Sequence, residues 1–300
     1  MRETMPWLQL RLQTTKQYAE ETSDVLMDIG ALSVTFMDAE DQPILEPAPG
    51  ETPLWENVVI QALFEADIDT NEVLEQWKLE ALSEHSQVGE FEILEDKDWE
   101  REWMDRFEPM CFGDRLWICP SWKPVVDENA VNILLDPGLA FGTGTHPTTA
   151  LCLKWLDAAD VNDKVVIDYG CGSGILAIAA LKLGAKKVYA VDIDPQAILA
   201  TKDNAERNNV ADERLLVGMP EILKEKSQAD ILLANILAEP LRNLIQEIYD
   251  LCKPHGRIAL SGLLTTQSDE LIAIYQQRFQ MEEPVFQNEW ARLTGIKVNN

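Results

Sequence analysis

Basic residues are scarce in this chain of 300 residues: 25 Lys and Arg stand against 52 Asp and Glu, a formal net charge of −27. So acidic a surface repels a long phosphate backbone, which is held by clustered Lys and Arg, and it favours encounter with a basic partner. Direct nucleic-acid binding is therefore not expected. Long apolar runs are missing too. None approaches the ~20 residues of a membrane span, and the first residues lack the basic-then-apolar order of a secretory leader. No membrane partner is expected, and the expected compartment is the cytoplasm. Cys111, Cys119, Cys152, Cys171 and Cys252 are scattered, with no C-x-x-C spacing. That excludes the usual zinc pattern and leaves reduced thiols, with no metal site. A Gly-Lys-Ser/Thr string is absent, which excludes a Walker-type phosphate loop. No seam of heptads is visible, so a monomer is expected.

What is present concentrates in the second half. The apolar run Val165-Val166-Ile167 leads into Asp168-Tyr169-Gly170-Cys171-Gly172-Ser173-Gly174, and Ile175-Leu176-Ala177-Ile178 follows. This order reads as a buried parallel strand, a tight turn and a helix start. Alternating glycines let backbone approach a ligand and accept positive φ. A dinucleotide fingerprint would have its third glycine where Ile175 stands, so the fit to that motif is poor. The pattern Asp168-x-Gly170-x-Gly172-x-Gly174 instead resembles the nucleoside-binding loop of class I S-adenosylmethionine-dependent methyltransferases. That ligand has a carboxylate, an ammonium and a sulfonium, and no pyrophosphate. Amides at the start of the helix over 174–184 suit the carboxylate. Asp168, at the strand's carboxyl end, is expected to face the ammonium. The next strand, Lys187-Val188-Tyr189-Ala190-Val191, ends in Asp192, 18 residues past Gly174. A carboxylate there can accept from both ribose hydroxyls.

From residue 150 onward strands and helices alternate, which implies a parallel sheet covered on both faces. Strands are expected near 164–168, 187–192, 214–217, 229–234 and 256–261, and helices near 174–184, 195–208, 237–252 and 266–278. Phe279–Phe286 and Glu289–Val298 read as a closing hairpin. Residues 1–95 show the strand–helix–strand–strand–helix–strand order of a ferredoxin-like fold. Their acidity is pronounced: over 1–85, four basic residues stand against eighteen acidic ones. In 96–107, Trp99, Trp103 and Phe107 share one helical face. The expected architecture is α/β. A small α+β ferredoxin-like domain over 1–95 precedes a linker helix over 96–108. A Rossmann-like class I methyltransferase domain over 109–300 follows, and the resemblance implies a seven-stranded, mostly parallel sheet with the last two strands antiparallel.

Two further segments carry chemistry. Residues 136–149 hold Gly138, Gly142 and Gly144, and read as a mobile gate over the cofactor, with Pro147 starting a helix. His146 there suits a helix cap or turn better than a general base. Phe141, beside the gate, is placed to contact a sulfonium or methylated ammonium through its ring face. Asn235 ends the apolar strand Ala229-Asp230-Ile231-Leu232-Leu233-Ala234, where open α/β sheets bind ligands. Its amide is expected to orient an acceptor nitrogen.

Together with the acidic first domain and the Asp-Trp-Glu-Arg-Glu-Trp linker, these segments resemble the bacterial methyltransferases of large-subunit ribosomal protein eleven (the PrmA family). The string Phe-Gly-Thr-Gly-Thr-His-Pro-Thr-Thr is the most specific part of that resemblance. It implies methylation of a basic ribosomal protein on its N-terminal α-amine and on lysine side chains, with the domain over 1–95 recognising that substrate. It also implies cofactor contacts at Thr149, Gly170, Asp192 and Asn235; the loop pattern and the gate add Asp168, Gly172, Gly174 and Phe141 as candidates. No dedicated general base is expected. Alternatives are a class I methyltransferase for another basic protein, a small amine or RNA, and a nicotinamide-dependent oxidoreductase.

Overall fold

The structure is a computed structural model and describes residues 7–40, 42, 53–94, 107–136, 146–210, 213–223 and 228–298. The chain divides into two compact units, Met1–Met104 and Asp105–Asn300. The linker helix expected over 96–108 lies, apart from Phe107 and Glu108, outside the described residues.

In the first unit β1 (Trp7–Thr15), α1 (Lys16–Asp28), β2 (Ser33–Asp38), β3 (Asn57–Phe64), α2 (Thr70–Leu79) and β4 (Gln87–Leu94) follow in order. The strands form an antiparallel sheet ordered β2-β3-β1-β4, the ferredoxin-like arrangement expected from the sequence. Period-two burial explains the sheet: Val58, Ile60, Ala62 and Phe64 of β3 are fully buried while their neighbours are half-exposed. Ala19, Thr22 and Leu26 of α1, and Val73 and Trp77 of α2, supply buried helix positions. Asp69 caps α2 by accepting from the amides of Asn71 and Glu72. β1 runs three residues further than its apolar alternation, because Gln13, Thr14 and Thr15 keep pairing with β3.

The second unit opens with β5 (Met110–Phe112), β6 (Leu116–Cys119) and β7 (Val131–Leu134), a small separate sheet. Then come α3 (Pro147–Ala158), β8 (Val165–Tyr169), α4 (Ile175–Lys182), β9 (Lys187–Val191), α5 (Pro195–Arg207), β10 (Leu215–Gly218) and β11 (Ala229–Asn235). The chain closes with α6 (Ala238–Asn243), α7 (Ile245–Leu251), β12 (Cys252–Leu264), α8 (Ser268–Tyr275), β13 (Phe279–Met281), β14 (Val285–Gln287) and β15 (Trp290–Lys297). The main sheet is ordered β10-β9-β8-β11-β12-β15-β13, with β14 also against β15. β10, β9, β8, β11 and β12 are mutually parallel, and β15 runs against β12.

Alternate residues of the parallel strands enter two different cores. Val166, Val188, Ile231, Leu233 and Ala259 pack with α3, α4 and the small sheet. Ile167, Val191, Leu232, Ala234 and Leu260 pack with Leu241, Ile248, Leu271 and Tyr275. A strand buried on both faces reads as a continuous apolar run, as these do.

Among the described residues the sheet has eight strands where seven were expected. The edge strand is broken into β13 and β14, both antiparallel to β15. Pro284 lies in the break and has no amide to give a ladder. The helix expected over 237–252 is likewise interrupted, at Leu244, between α6 and α7. Among the described residues no helix is long and apolar enough to cross a membrane.

Candidate active site

The sheet order reverses between β8 and β11. The chain leaves β8 for β9 and β10 on one side, then returns to β11 on the other. Open α/β sheets bind ligands at such a point, outside the strands' carboxyl ends. A cavity of about 590 Å³ lies there. Gly170 and Gly172 follow β8, Asp192 follows β9, Asn235 ends β11, Gly262 belongs to β12 and Trp290 begins β15; all six line the cavity. Among the described residues the wall has one carboxylate, Asp192, and no Lys or Arg. The remainder is largely apolar, the usual character of a small-molecule site of this size.

The loop after β8 is built by its backbone. Gly170, Gly172 and Gly174 have φ of 78°, 55° and 78°, a region closed to most side chains. The amides of Gly170 and Cys171 donate to Val191 O at 2.8 and 3.0 Å, which ties the turn to the end of β9. The Gly172 amide donates to Asp192 Oδ2 at 2.9 Å, and Asp194 N donates to Asp192 Oδ1 at 3.0 Å. Each carboxylate oxygen keeps a second lone pair for a ligand hydroxyl. From α5, Thr201 Oγ1 donates to Gly172 O and Asn204 Nδ2 to Ser173 O. Both side chains are buried, so the turn is fastened from beneath before any ligand arrives.

Asn235 stands opposite. Its Nδ2 donates to Thr149 Oγ1 at 3.2 Å, and its buried Oδ1 has no hydrogen-bond partner among the described residues. An unsatisfied buried acceptor costs roughly 1–3 kcal/mol unless a ligand donor meets it. Thr149 itself is fully buried and does not line the cavity. Asp168 is also behind the wall, 1% exposed. Its Oδ2 accepts from Ala177 N at 3.0 Å, which satisfies one amide in the first turn of α4. Its Oδ1 has no partner among the described residues. Burial pushes this carboxyl up to about 7, opposed by the Ala177 amide and reinforced by Asp192.

Two titratable side chains in the wall are not free bases. His146 caps α3: its Nδ1 accepts from Thr148 N and lies 2.7 Å from Thr148 Oγ1. Burial lowers its pKa, with Glu289 acting the other way, and its ring meets Trp290 edge-on at 4.7 Å. Of the cap or turn role expected for His146, the cap is what the ring performs. Tyr169 donates its hydroxyl to Glu247 Oε1 at 3.0 Å. Burial, and then that bond, raise its pKa.

The residues singled out from the sequence thus separate into two layers. Gly170, Gly172, Asp192 and Asn235 form the wall. Thr149, Asp168 and Gly174 support it from within. Phe141 falls outside the described residues. Sequence reasoning missed Tyr169, Gly262, Trp290 and the exposed Ile193 as wall residues. Gly262 had a readable signal, since an isolated glycine in an apolar strand marks a bulge or a close backbone approach. Trp290 had none, because only the pairing of β15 with β12 brings it here.

Comparison with known proteins agrees along the whole chain. The sequence model of the family described as ribosomal protein L11 methyltransferase (PrmA) matches residues 6–298. The curated ribosomal protein L11 methyltransferase of Shewanella sediminis is 58% identical over 293 residues, covering 98% of this chain and 100% of that one. Its counterpart from Vibrio parahaemolyticus is 55% identical over 294 residues, covering 98% and 99%. A solved ribosomal protein L11 methylase from Lactobacillus delbrueckii subsp. bulgaricus superposes with a TM-score of 0.58 at 34% identity, over 64% of this chain and 100% of that one.

Proposed function

The chain belongs to the ribosomal protein L11 methyltransferase family, and from that membership we propose that it moves methyl groups from S-adenosylmethionine to ribosomal protein L11. The acceptors are nitrogens, the N-terminal α-amine and lysine side chains. The observation that carries the site assignment is Asn235: a buried acceptor without a partner, at a parallel strand's end, in a cavity wall.

Residues of this chain fit the cofactor. Gly170 and Gly172 bring backbone into the cavity wall, and Asp192 offers lone pairs to two ribose hydroxyls. When bound, S-adenosylmethionine supplies an electrophilic methyl on a sulfonium. What the protein adds is alignment. Asn235 Oδ1 accepts from the acceptor N–H and so points the nitrogen lone pair along the transfer line. Thr149 holds the amide from behind, which keeps oxygen rather than nitrogen toward the ligand. Asp168, with the amide of Ala177, steadies the start of α4.

The acceptor amine reacts neutral. An α-amine titrates at about 7.7–8.0 and a free lysine at about 10.4, and an apolar wall favours the neutral form of either. Neither Asn235 nor the capped His146 is suited to remove that proton, so transfer proceeds on amine already deprotonated. The net charge of −27 draws in a basic substrate and disfavours self-association, which supports a monomer; a ribosomal-protein substrate supports the cytoplasm as its place of work.

Intact-mass spectrometry of purified L11 incubated with this protein and S-adenosylmethionine tests the reading. Methyl increments on L11, localised to the α-amine and lysines, are expected. An unmodified L11, with the cofactor still bound by calorimetry, would remove the substrate and leave the cofactor reading standing.

A further inference from the structure

β12 is irregular where it passes the cavity. Its pairing with β15 runs to Leu260↔Leu293 and resumes at Leu263↔Ala291. β12 therefore spends one residue more than its partner, a bulge over Ser261 and Gly262. Bulges bend a strand and gather beside functional sites. Gly262 has φ +86° and lines the cavity.

On its other edge β12 pairs with β11 as far as Asn235↔Ser261. The next residue, Ile236, leaves the ladder directly against Gly262. A Cβ on Gly262 would overlap Ile236 O and lie 2.7 Å from its carbonyl carbon and 2.9 Å from its nitrogen. A Cβ on Gly170 would overlap Ile236 Cγ2. Ile236 thus fills the space left by two glycines, one receiving its backbone and the other its side chain. The first is the stricter constraint, because backbone atoms cannot rotate away.

We propose that Gly262 is a positioning residue for methyl transfer: its bare Cα seats the Ile236 backbone on the β12 bulge and so holds Asn235 in the cavity wall. The inference rests on the reading of Asn235 given above. Asn235 is bonded directly to Ile236, and its side chain is fixed at one further point, the 3.2 Å bond to Thr149. Displacing the seat by a fraction of an ångström moves the acceptor-orienting oxygen, and misplacement of about 1 Å costs on the order of 10²-fold in rate.

The test is Gly262→Ala, compared with Gly184→Ala. Gly184 also has positive φ, +105°, and a Cβ there would lie 2.8 Å from Asn162 Oδ1, a side-chain atom; it is outside the cavity wall, so it reports the cost of strain and crowding away from the site. With L11 as substrate, Gly262→Ala is expected to lower kcat about 10²-fold, far beyond any change in the Kd of S-adenosylhomocysteine, while Gly184→Ala keeps kcat. In the ligand-free protein the side-chain amide signal of Asn235 in 1H–15N spectra is expected to move in Gly262→Ala and to stay in Gly184→Ala. Adding Ile236→Ala to Gly262→Ala is expected to restore nothing, since the overlap is with backbone. A folded Gly262→Ala with unchanged kcat, an unmoved Asn235 signal, or rescue by Ile236→Ala would overturn the proposal. If Gly262→Ala does not fold, Ile236→Gly loosens the same seat: a fall in kcat with a moved Asn235 signal supports the proposal, and unchanged values of both refute it. Failure of the wild-type protein to methylate L11 would instead count against the substrate, and the amide signal would still decide on the seat.

Discussion

In β3, Val58, Ile60, Ala62 and Phe64 are buried and the residues between them are half-exposed. In β11, Ile231, Leu232, Leu233 and Ala234 are all buried. The first strand lies in an antiparallel sheet with one buried face, the second in a parallel sheet between two cores. Antiparallel neighbours end at opposite edges, so their terminal side chains do not converge. Parallel neighbours all end at one edge. Asp192 and Asn235, the polar residues that stop β9 and β11, are brought to a common cavity by that geometry alone, together with the turn that follows β8. The lesson is that the location of the site follows from strand direction, and its chemistry from the few polar residues that the strand ends admit.

Four substitutions sharpen this contrast, in decreasing order of expected effect. Trp77→Ala empties a fully buried position in the first unit and should destabilise that unit by about 3–5 kcal/mol. Calorimetry should find cofactor affinity unchanged, because no described residue before His146 lines the cavity; a large loss of affinity would break the separation. Asn235→Ala should lower kcat about 10²-fold at saturating cofactor, and normal turnover would end its assignment. Asp192→Ala removes a carboxylate that also holds Gly172 N and Asp194 N. Loss of charge-assisted bonds worth about 1.5–3 kcal/mol predicts cofactor binding weakened some 10- to 100-fold, read by titration calorimetry.

The fourth effect is a slope. Asp168 has a raised pKa in the fold, about 7, chiefly from burial, above its unfolded value of about 3.9. Between those values the native state holds more protons than the unfolded state, so stability falls as pH rises from about 4 to about 7 and then levels off. The slope for one proton is at most about 1.4 kcal/mol per pH unit. Urea unfolding across this range should show it in the ligand-free wild type and not in Asp168→Asn; parallel curves for the two proteins would contradict the burial argument.

Much of this was legible in the sequence where local chemistry decides. Asp168-x-Gly170-x-Gly172-x-Gly174 after an apolar run specifies strand, turn and helix, and the spacing to Asp192 follows from one βαβ unit. Asn235 announces itself as a polar stop to an apolar strand. Legibility fails where distant pairing decides. β5 was missed because three residues gain strand geometry only by lying against β6. β12 runs to Leu264 because β15 pairs with Leu263 and Leu264 beyond the bulge. Thr149 was expected to touch the cofactor, and its place behind Asn235 could not be read from a residue two positions into a helix. Asp168 was expected to face the ammonium; its Oδ2 is committed to Ala177 N of α4, a contact that no spacing in the sequence announces.

The most direct test of where the chemistry resides is a 1H–15N titration of the whole protein with S-adenosylhomocysteine. Shifts are predicted at the amides of Gly170, Gly172, Asp192, Asn235 and Gly262, with those of β1 to β4 unmoved. Shifts concentrated in residues 7–94, or absent from the carboxyl edge of the parallel sheet, would contradict the account.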